Sequence, residues 1–192
     1  MTRGTWAAFV AVFCAPLPAP AQVAAIDARP LPLAAKRLAA SADECVVWRR
    51  EQAFSRSVES HDVRAFHSFL HAGTVFQAGT ADADRGSDAV TKEWVEIVDG
   101  KTVALRWRPG IVQIGGEPTI AVSRGPYILQ TDKDGKPAFR VGMFQTIWVR
   151  DDREGEWRVL FDGSATTGQP MEDRAAADRW VQAQAMSDCA PG

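Results

Sequence analysis

Histidine is scarce in this 192-residue chain, with three copies, and tyrosine occurs once, at Tyr127. The shortage of histidine bears on metal chemistry. His67 and His71 stand four residues apart, close enough to share an ion, yet no third ligand has matching spacing, so no metal site and no cofactor are expected. Charge of one sign is missing as well: 22 basic residues face 24 acidic ones. Without a positive field the chain is not expected to bind nucleic acid. The N-terminal apolar run, Trp6 to Phe13, falls well short of the roughly 20 residues that cross a bilayer, so no stable membrane anchor is expected. What is present is ordinary for one soluble domain with one core, 46% hydrophobic and 24% charged.

Residues 1–21 read as a cleaved secretory signal. Arg3 supplies the positive start, Trp6 to Phe13 the apolar stretch and Ala19-Pro20-Ala21 a small-residue exit. The mature protein is then expected to be periplasmic or secreted, with 21 basic and 24 acidic residues, a net charge of −3. Its two remaining cysteines are Cys45 and Cys189. In an exported chain they most simply pair, closing a long loop; the alternative is two separate thiols, one in a helix face and one in a tail.

Residues 22–40 carry no period and read as an extended leader. Ser41-Ala42-Asp43-Glu44 is a capping box that opens a helix to about Glu59, with Val47, Trp48, Phe54 and Val58 on one stripe. Asp62 caps a second helix bearing Val63, Phe66 and Leu70, which Gly73 ends. Thr74 to Gln77 is a short strand. Ser87 is read as the cap of a third helix, Asp88 to Val98, with Ala89, Val90, Trp94, Ile97 and Val98 as its buried side. Strands follow: Val103 to Trp107, Ile111 to Ile114 after a Pro109-Gly110 bend, Ala121 to Gln130, Ala138 to Arg150 and Glu156 to Ser164. Asp134-Gly135 makes a hairpin turn between the two longest. A last helix is expected to start with Pro170 in its first turn and to run to about Ser187.

Several phrases carry a family resemblance. Phe66 to Leu70 followed by Thr74-Val75-Phe76, then Arg85-Gly86-Ser87 with Val90 and Trp94, precede four strand phrases. These are Leu105-Arg106-Trp107-Arg108-Pro109, Ser123-Arg124-Gly125-Pro126-Tyr127, Gly142-Met143-Phe144-Gln145-Thr146-Ile147-Trp148 and Gly155-Glu156-Trp157-Arg158-Val159. In that order, over about residues 42–165, they resemble the nuclear transport factor 2-like superfamily, in an exported, SnoaL-like branch known mainly as a domain of unknown function. The resemblance implies an α+β fold: a cone-shaped, curved, mostly antiparallel sheet covered by three N-terminal helices. The chain is then expected to divide into a domain over residues 41–166 and, on the helical pattern after Pro170, a C-terminal helical extension over 167–192. It also implies a homodimer through the outer sheet face.

Activity does not travel with this fold, so residues must be matched one at a time. Ketosteroid isomerases place a general-base aspartate after the first strand; the matching position here is Gln77, which cannot take a proton at neutral pH. Their helix tyrosine and strand aspartate also have no counterpart, since Tyr127 lies on a strand and Ala138 to Val149 holds no acid. Steroid-isomerase chemistry is therefore not implied, and neither is the Asp-Arg-Asp set of limonene epoxide hydrolase.

The residues leave two functions open. The first is a binding module or dimer scaffold for a small organic ligand, with Trp94, Trp107, Phe144, Gln77 and Arg124 around it. The second is a cofactor-free lyase, isomerase or hydrolase using Asp162 as base with Tyr127 or His71 as partner. Asp162 is the acid within a strong strand; among apolar walls its pKa would rise toward acid/base use, whereas at a solvent-facing strand end it would pair with Arg140 or Arg158. Strict alternation puts Trp157, Val159 and Phe161 on one face and Arg158, Leu160 and Asp162 on the other.

Overall fold

The first helix is built as its sequence dictates. Ser41 Oγ accepts from the Glu44 amide at 3.1 Å and the Glu44 carboxylate takes the Ser41 amide at 2.7 Å, satisfying donors that a helix start leaves open. The helix, α1 (Ala42–Glu59), buries Val47, Trp48, Phe54 and Val58. The other oxygen of Glu44 accepts from the Ile114 amide at 3.0 Å, so the cap also ties α1 to the sheet. The computed structural model describes residues 40–101, 103–150, 155–164 and 168–191, which lie in one compact unit. The expectations for a signal at 1–21 and for a leader over 22–40 concern, except for Ala40, residues outside these.

After α1 come α2 (Val63–Ser68), β1 (Leu70–Phe76), β2 (Asp84–Arg85) and α3 (Ser87–Val98). Asp62 does cap α2, accepting from the Ala65 amide at 2.8 Å. Two boundaries differ from expectation. The second helix stops at Ser68 and the strand begins at Leu70, because pairing of Leu70 with Val159 captures this stretch before Gly73 is reached. Ser87 is the first residue of α3 and does not cap it; Gly86, at φ 92°, holds the cap position. On α3, Val90 and Val98 are buried, whereas Ala89 is exposed.

The strands β3 (Val103–Trp107), β4 (Ile111–Ile114), β5 (Ile120–Lys133), β6 (Lys136–Arg150), β7 (Trp157–Ser164) and β8 (Gln169–Met171) complete one mixed sheet, with α4 (Arg174–Gln184) last. Its order is β2-β1-β7-β6-β5-β3, with β1 and β7 parallel. β3 and β4 pair with successive halves of β5, and the Pro109-Gly110 bend between them is held by Arg108 and Gly110 amides bonded to the Pro126 and Arg124 carbonyls. The hairpin turn uses positive φ at Asp134 and Gly135, as its composition requires.

The two sheet faces are covered differently. On one, α1, α2 and α3 enclose an aromatic core in which Phe54 meets Phe66, Phe69, Trp107 and Trp148 with ring centroids 5.1–6.0 Å apart. On the other, Ala177 of α4 closes a smaller cluster of Ile128, Phe139 and Val141. Pro170 lies in β8, paired with Arg140, and the last helix begins after Asp173, whose side chain accepts from the Ala176 amide. The edge strand takes the proline because its missing N–H costs nothing there. From α4 the chain returns to α1: the Met186 amide bonds to the Pro109 carbonyl, and Cys189 is joined by a disulfide to Cys45, with Cα atoms 5.4 Å apart.

Candidate functional site

One irregularity places the one carboxylate that lines the candidate cavity among the described residues. In β7, Phe161 pairs with Ile147 of β6 while Val159 pairs with the next residue, Trp148, so Leu160 is extra. Such a bulge inverts the alternation beyond it and re-aims the following side chain. Trp157 and Val159 are buried in the core, Phe161 turns outward with 37% of its surface exposed, and Asp162 turns inward. The expected grouping of Asp162 with Arg158 and Leu160, opposite Val159, is therefore corrected.

Asp162 opens onto a cavity of about 240 Å³. Phe54, Trp94, Trp107 and Phe144 supply aromatic walls, Ile97, Leu105 and Leu129 aliphatic ones, and Gln77 and Tyr127 the remaining polar groups. Trp94 and Ile97 are half-buried on α3 and line this space, with the Trp94 ring also packed on Phe66 and Phe76. Gln77 follows β1 at φ 52°, a left-handed conformation uncommon for its residue type. Tyr127 lies across its cross-strand partner Gly142, where an added Cβ would stand 2.6 Å from the ring, and its hydroxyl reaches Gly168. Among the described residues no hydrogen bond joins Tyr127 to Asp162.

Beneath the cavity runs a polar row that joins the expected Asp162 to two residues without a sequence signal, Ser123 and Thr146. Ser123, Thr146 and Asp162 are cross-strand neighbours on β5, β6 and β7, where facing side chains sit about 5 Å apart. Thr146 donates its hydroxyl hydrogen to Asp162 Oδ2 at 2.9 Å. Above the row, Glu51 of α1 is fully buried and accepts the indole N–H of Trp107 at 2.6 Å and of Trp148 at 2.7 Å. Burial raises the pKa of Glu51 above the usual carboxylate range, against the lowering effect of these donors and of the Ser123 and Thr146 hydroxyls. Asp162 is pushed up to about 7, first by burial and then by the neighbouring Glu51, with the Thr146 hydrogen bond opposing. A signal for Glu51 was present: it falls three residues after Trp48 and three before Phe54, on the apolar stripe of α1, where a carboxylate is out of place unless hydrogen-bonded.

The other expected site residues lie elsewhere. His71 is on β1, not on a helix with His67; its Nδ1 accepts from the Gly73 amide at 3.0 Å, and it does not line the cavity. His67 instead bonds to Thr91 at 2.9 Å. Arg124 projects from the opposite sheet face to its neighbours Ser123 and Gly125 and is absent from the cavity wall, because strand alternation carries it there. Arg140 and Arg158, considered as partners of Asp162, bond to the Gly168 carbonyl and to the Ser68 carbonyl. A second cavity of about 220 Å³ lies at the β3 edge, beside Glu59, Arg106 and Arg174. Its charges are already paired, Arg106 and Arg174 with Asp178 and Glu59 with Arg108.

No family model and no curated protein sequence matches the chain. Solved structures do match in three dimensions. A nuclear transport factor 2-like superfamily protein from Salmonella enterica serovar Typhimurium is 15% identical, with TM-score 0.53, over 69% of this chain and 94% of its own. A ketosteroid isomerase-like protein from Erwinia carotovora gives 13%, 0.52, 66% and 99%. A scytalone dehydratase candidate from Novosphingobium aromaticivorans gives 16%, 0.54, 68% and 88%. Identities this low speak to architecture alone, and with helices covering one face of a curved mixed sheet, the chain has the nuclear transport factor 2-like fold.

Proposed function

We propose that this protein binds a small, flat, largely apolar organic molecule in the Asp162 cavity, with Asp162 meeting the ligand's one polar group. The observation that carries the reading is the placement of a single carboxyl in an aromatic wall, where apolar area supplies affinity and one polar contact fixes orientation. The modest volume, below the usual range of about 300 to 1,000 Å³, favours a ligand of one or two fused rings. A flat bicyclic phenol such as 2-naphthol is a suitable probe. Isothermal titration is expected to show saturable 1:1 binding to the wild type and loss of binding in Leu129→Trp, which fills the cavity. Binding that survives Leu129→Trp, or no saturable binding by 2-naphthol and its ketone and amine analogues, refutes the proposal.

A second reading has its own support. A carboxyl that titrates at about 7 is matched to proton transfer at neutral pH, which favours turnover with Asp162 as general base, removing a proton from the ligand and returning it to another of its atoms. Product formation by the wild type, abolished in Asp162→Asn with binding retained, separates turnover from binding alone.

Export and self-association belong to the same proposal. The Cys45–Cys189 disulfide supports an oxidising compartment, and Ile120, Val122 and Phe161 form an exposed apolar row on the outer sheet face, beyond α4, suited to a second copy. Native mass spectrometry of the exported protein reads mature mass, copy number and any retained ligand together.

A further inference from the structure

Charges at the second cavity, beside the free edge of β3, are paired but not balanced. Two guanidiniums share one carboxylate there: Arg106 of β3 and Arg174 of α4 both donate to Asp178. Glu59, the acid on the cavity wall, is taken up by a third arginine, since Arg108 gives it both terminal nitrogens. Three cations against two anions leave one positive charge over. Arg106 commits a single nitrogen to Asp178 and has no other hydrogen bond among the described residues, although a guanidinium carries five N–H groups. Burial, and then the charge of Arg174, hold the Arg106 guanidinium below its ordinary value, so a further anion between the two arginines is favoured.

The strand edge adds a backbone donor. In the pairing of β3 with β5 the Arg108 amide bonds to the Pro126 carbonyl, and antiparallel residues alternate between bonding the partner strand and pointing away from it. Trp107, Leu105 and Val103 are then the residues whose backbone groups point away from β5. The phase is borne out at Trp107, whose amide and carbonyl both engage Ser55 Oγ of α1, at 3.1 and 2.8 Å. Among the described residues no strand lies beyond β3, so the Leu105 amide is left open at the edge where the cavity lies. Around these donors the wall is apolar, with Val58, Ile97, Ala104 and Ile128. His61 stands on the same wall at φ 60°, its ring fixed by Nδ1 donating to the Val98 carbonyl at 2.8 Å. Strained backbone of this kind gathers at ligand sites.

We propose that this second cavity binds a small organic carboxylate, held by Arg106, Arg174 and the Leu105 amide, with its apolar body against Val58, Ile97 and Ile128. A carboxylate fits because its two oxygens match the guanidinium fork, and because the two arginines already converge on one, that of Asp178. The volume of about 220 Å³ suits a single ring or a short branched chain. Only Ile97 and Leu105 are common to the walls of the two cavities, and neither supplies a polar side chain. The carboxylate site therefore stands whether or not the Asp162 cavity takes a ligand.

The test is isothermal titration of the full chain with benzoate, and with benzamide as the uncharged probe of the same shape. Benzoate is expected to bind 1:1 with a Kd of about 1 mM or tighter. Benzamide should bind at least about tenfold more weakly, because it forfeits the charge-assisted bonds. Arg106→Gln should weaken benzoate by about tenfold or more for the same reason. Ala104→Trp, at an exposed position of β3, should block the cavity without entering the core. Far-ultraviolet circular dichroism reports whether each variant folds, and should Arg106→Gln not fold, Ala104→Trp carries the test. Absence of saturable benzoate binding overturns the inference, as does equal affinity for benzamide or unchanged benzoate affinity in either folded variant. The 2-naphthol titration reads the other cavity, so the two proposals fail separately.

Discussion

Asp162→Asn should make the protein more stable at neutral pH and leave it almost unchanged in acid. The reason is linkage. The Asp162 pKa rises from 3.8 to about 7 on folding, so the native state holds this proton more tightly than the unfolded chain does. Between those two values the unfolded state binds fewer protons, and stability falls as pH rises. The loss begins near the unfolded pKa, grows through the acidic range and levels off above about 7. A shift of roughly three units at about 1.36 kcal/mol per unit gives a ceiling of about 4 kcal/mol, and the partial exposure of Asp162 to the cavity makes about 2 to 4 kcal/mol the expected difference. Asparagine resembles the protonated acid, and its carbonyl still accepts from Thr146. Urea unfolding of wild type and variant, followed by tryptophan fluorescence from about pH 4 to about pH 8, measures the difference directly. A wild-type minus variant difference that is flat across this range would refute the reasoning, whatever the absolute stabilities.

Replacing both Cys45 and Cys189 by alanine removes a cross-link spanning 144 residues; the loop-entropy relation gives about 3 to 5 kcal/mol of lost stability, to be read in the same urea assay, with 2-naphthol binding at low temperature preserved. Gly125→Ala should be severe, costing about 2 kcal/mol or more, because its Cβ would stand 2.0 Å from the Arg108 carbonyl oxygen and 2.7 Å from the Gly110 amide nitrogen. The bend between β3 and β4 would have to open, and a melting temperature within a degree or two of wild type would show that the close approach is not required.

Much of the fold could be read from local chemistry. The capping box at Ser41, the Asp62 cap, the Asp134-Gly135 turn and the broken edge at Pro109 act through neighbouring backbone, and all four are in place. Where tertiary pairing competes with local preference, local reading fails. Leu70 fits a helical stripe but is drawn into β1 by Val159, and Pro170 fits a helix start but sits on the edge strand β8. The candidate site divides the same way. The aromatic residues Trp94, Trp107 and Phe144, with Gln77 and Tyr127, do line one cavity, since their strand and helix positions face the core by simple period. Arg124 and His71 do not, because alternation and the early start of β1 carry them off the cavity wall.

The sequence by itself determined the order of the main helices and long strands, though not the short strands β2 and β8, together with most apolar faces and the pair of cysteines able to join, since each depends on residue type and near neighbours. Only the tertiary structure decided which way Asp162 points and what lies against it. A single extra residue at Leu160 reverses the alternation of β7, and Glu51 meets the Trp148 indole only because α1 packs across strands nearly a hundred residues further along the chain. Contacts of that kind come from register and packing, which no local pattern encodes.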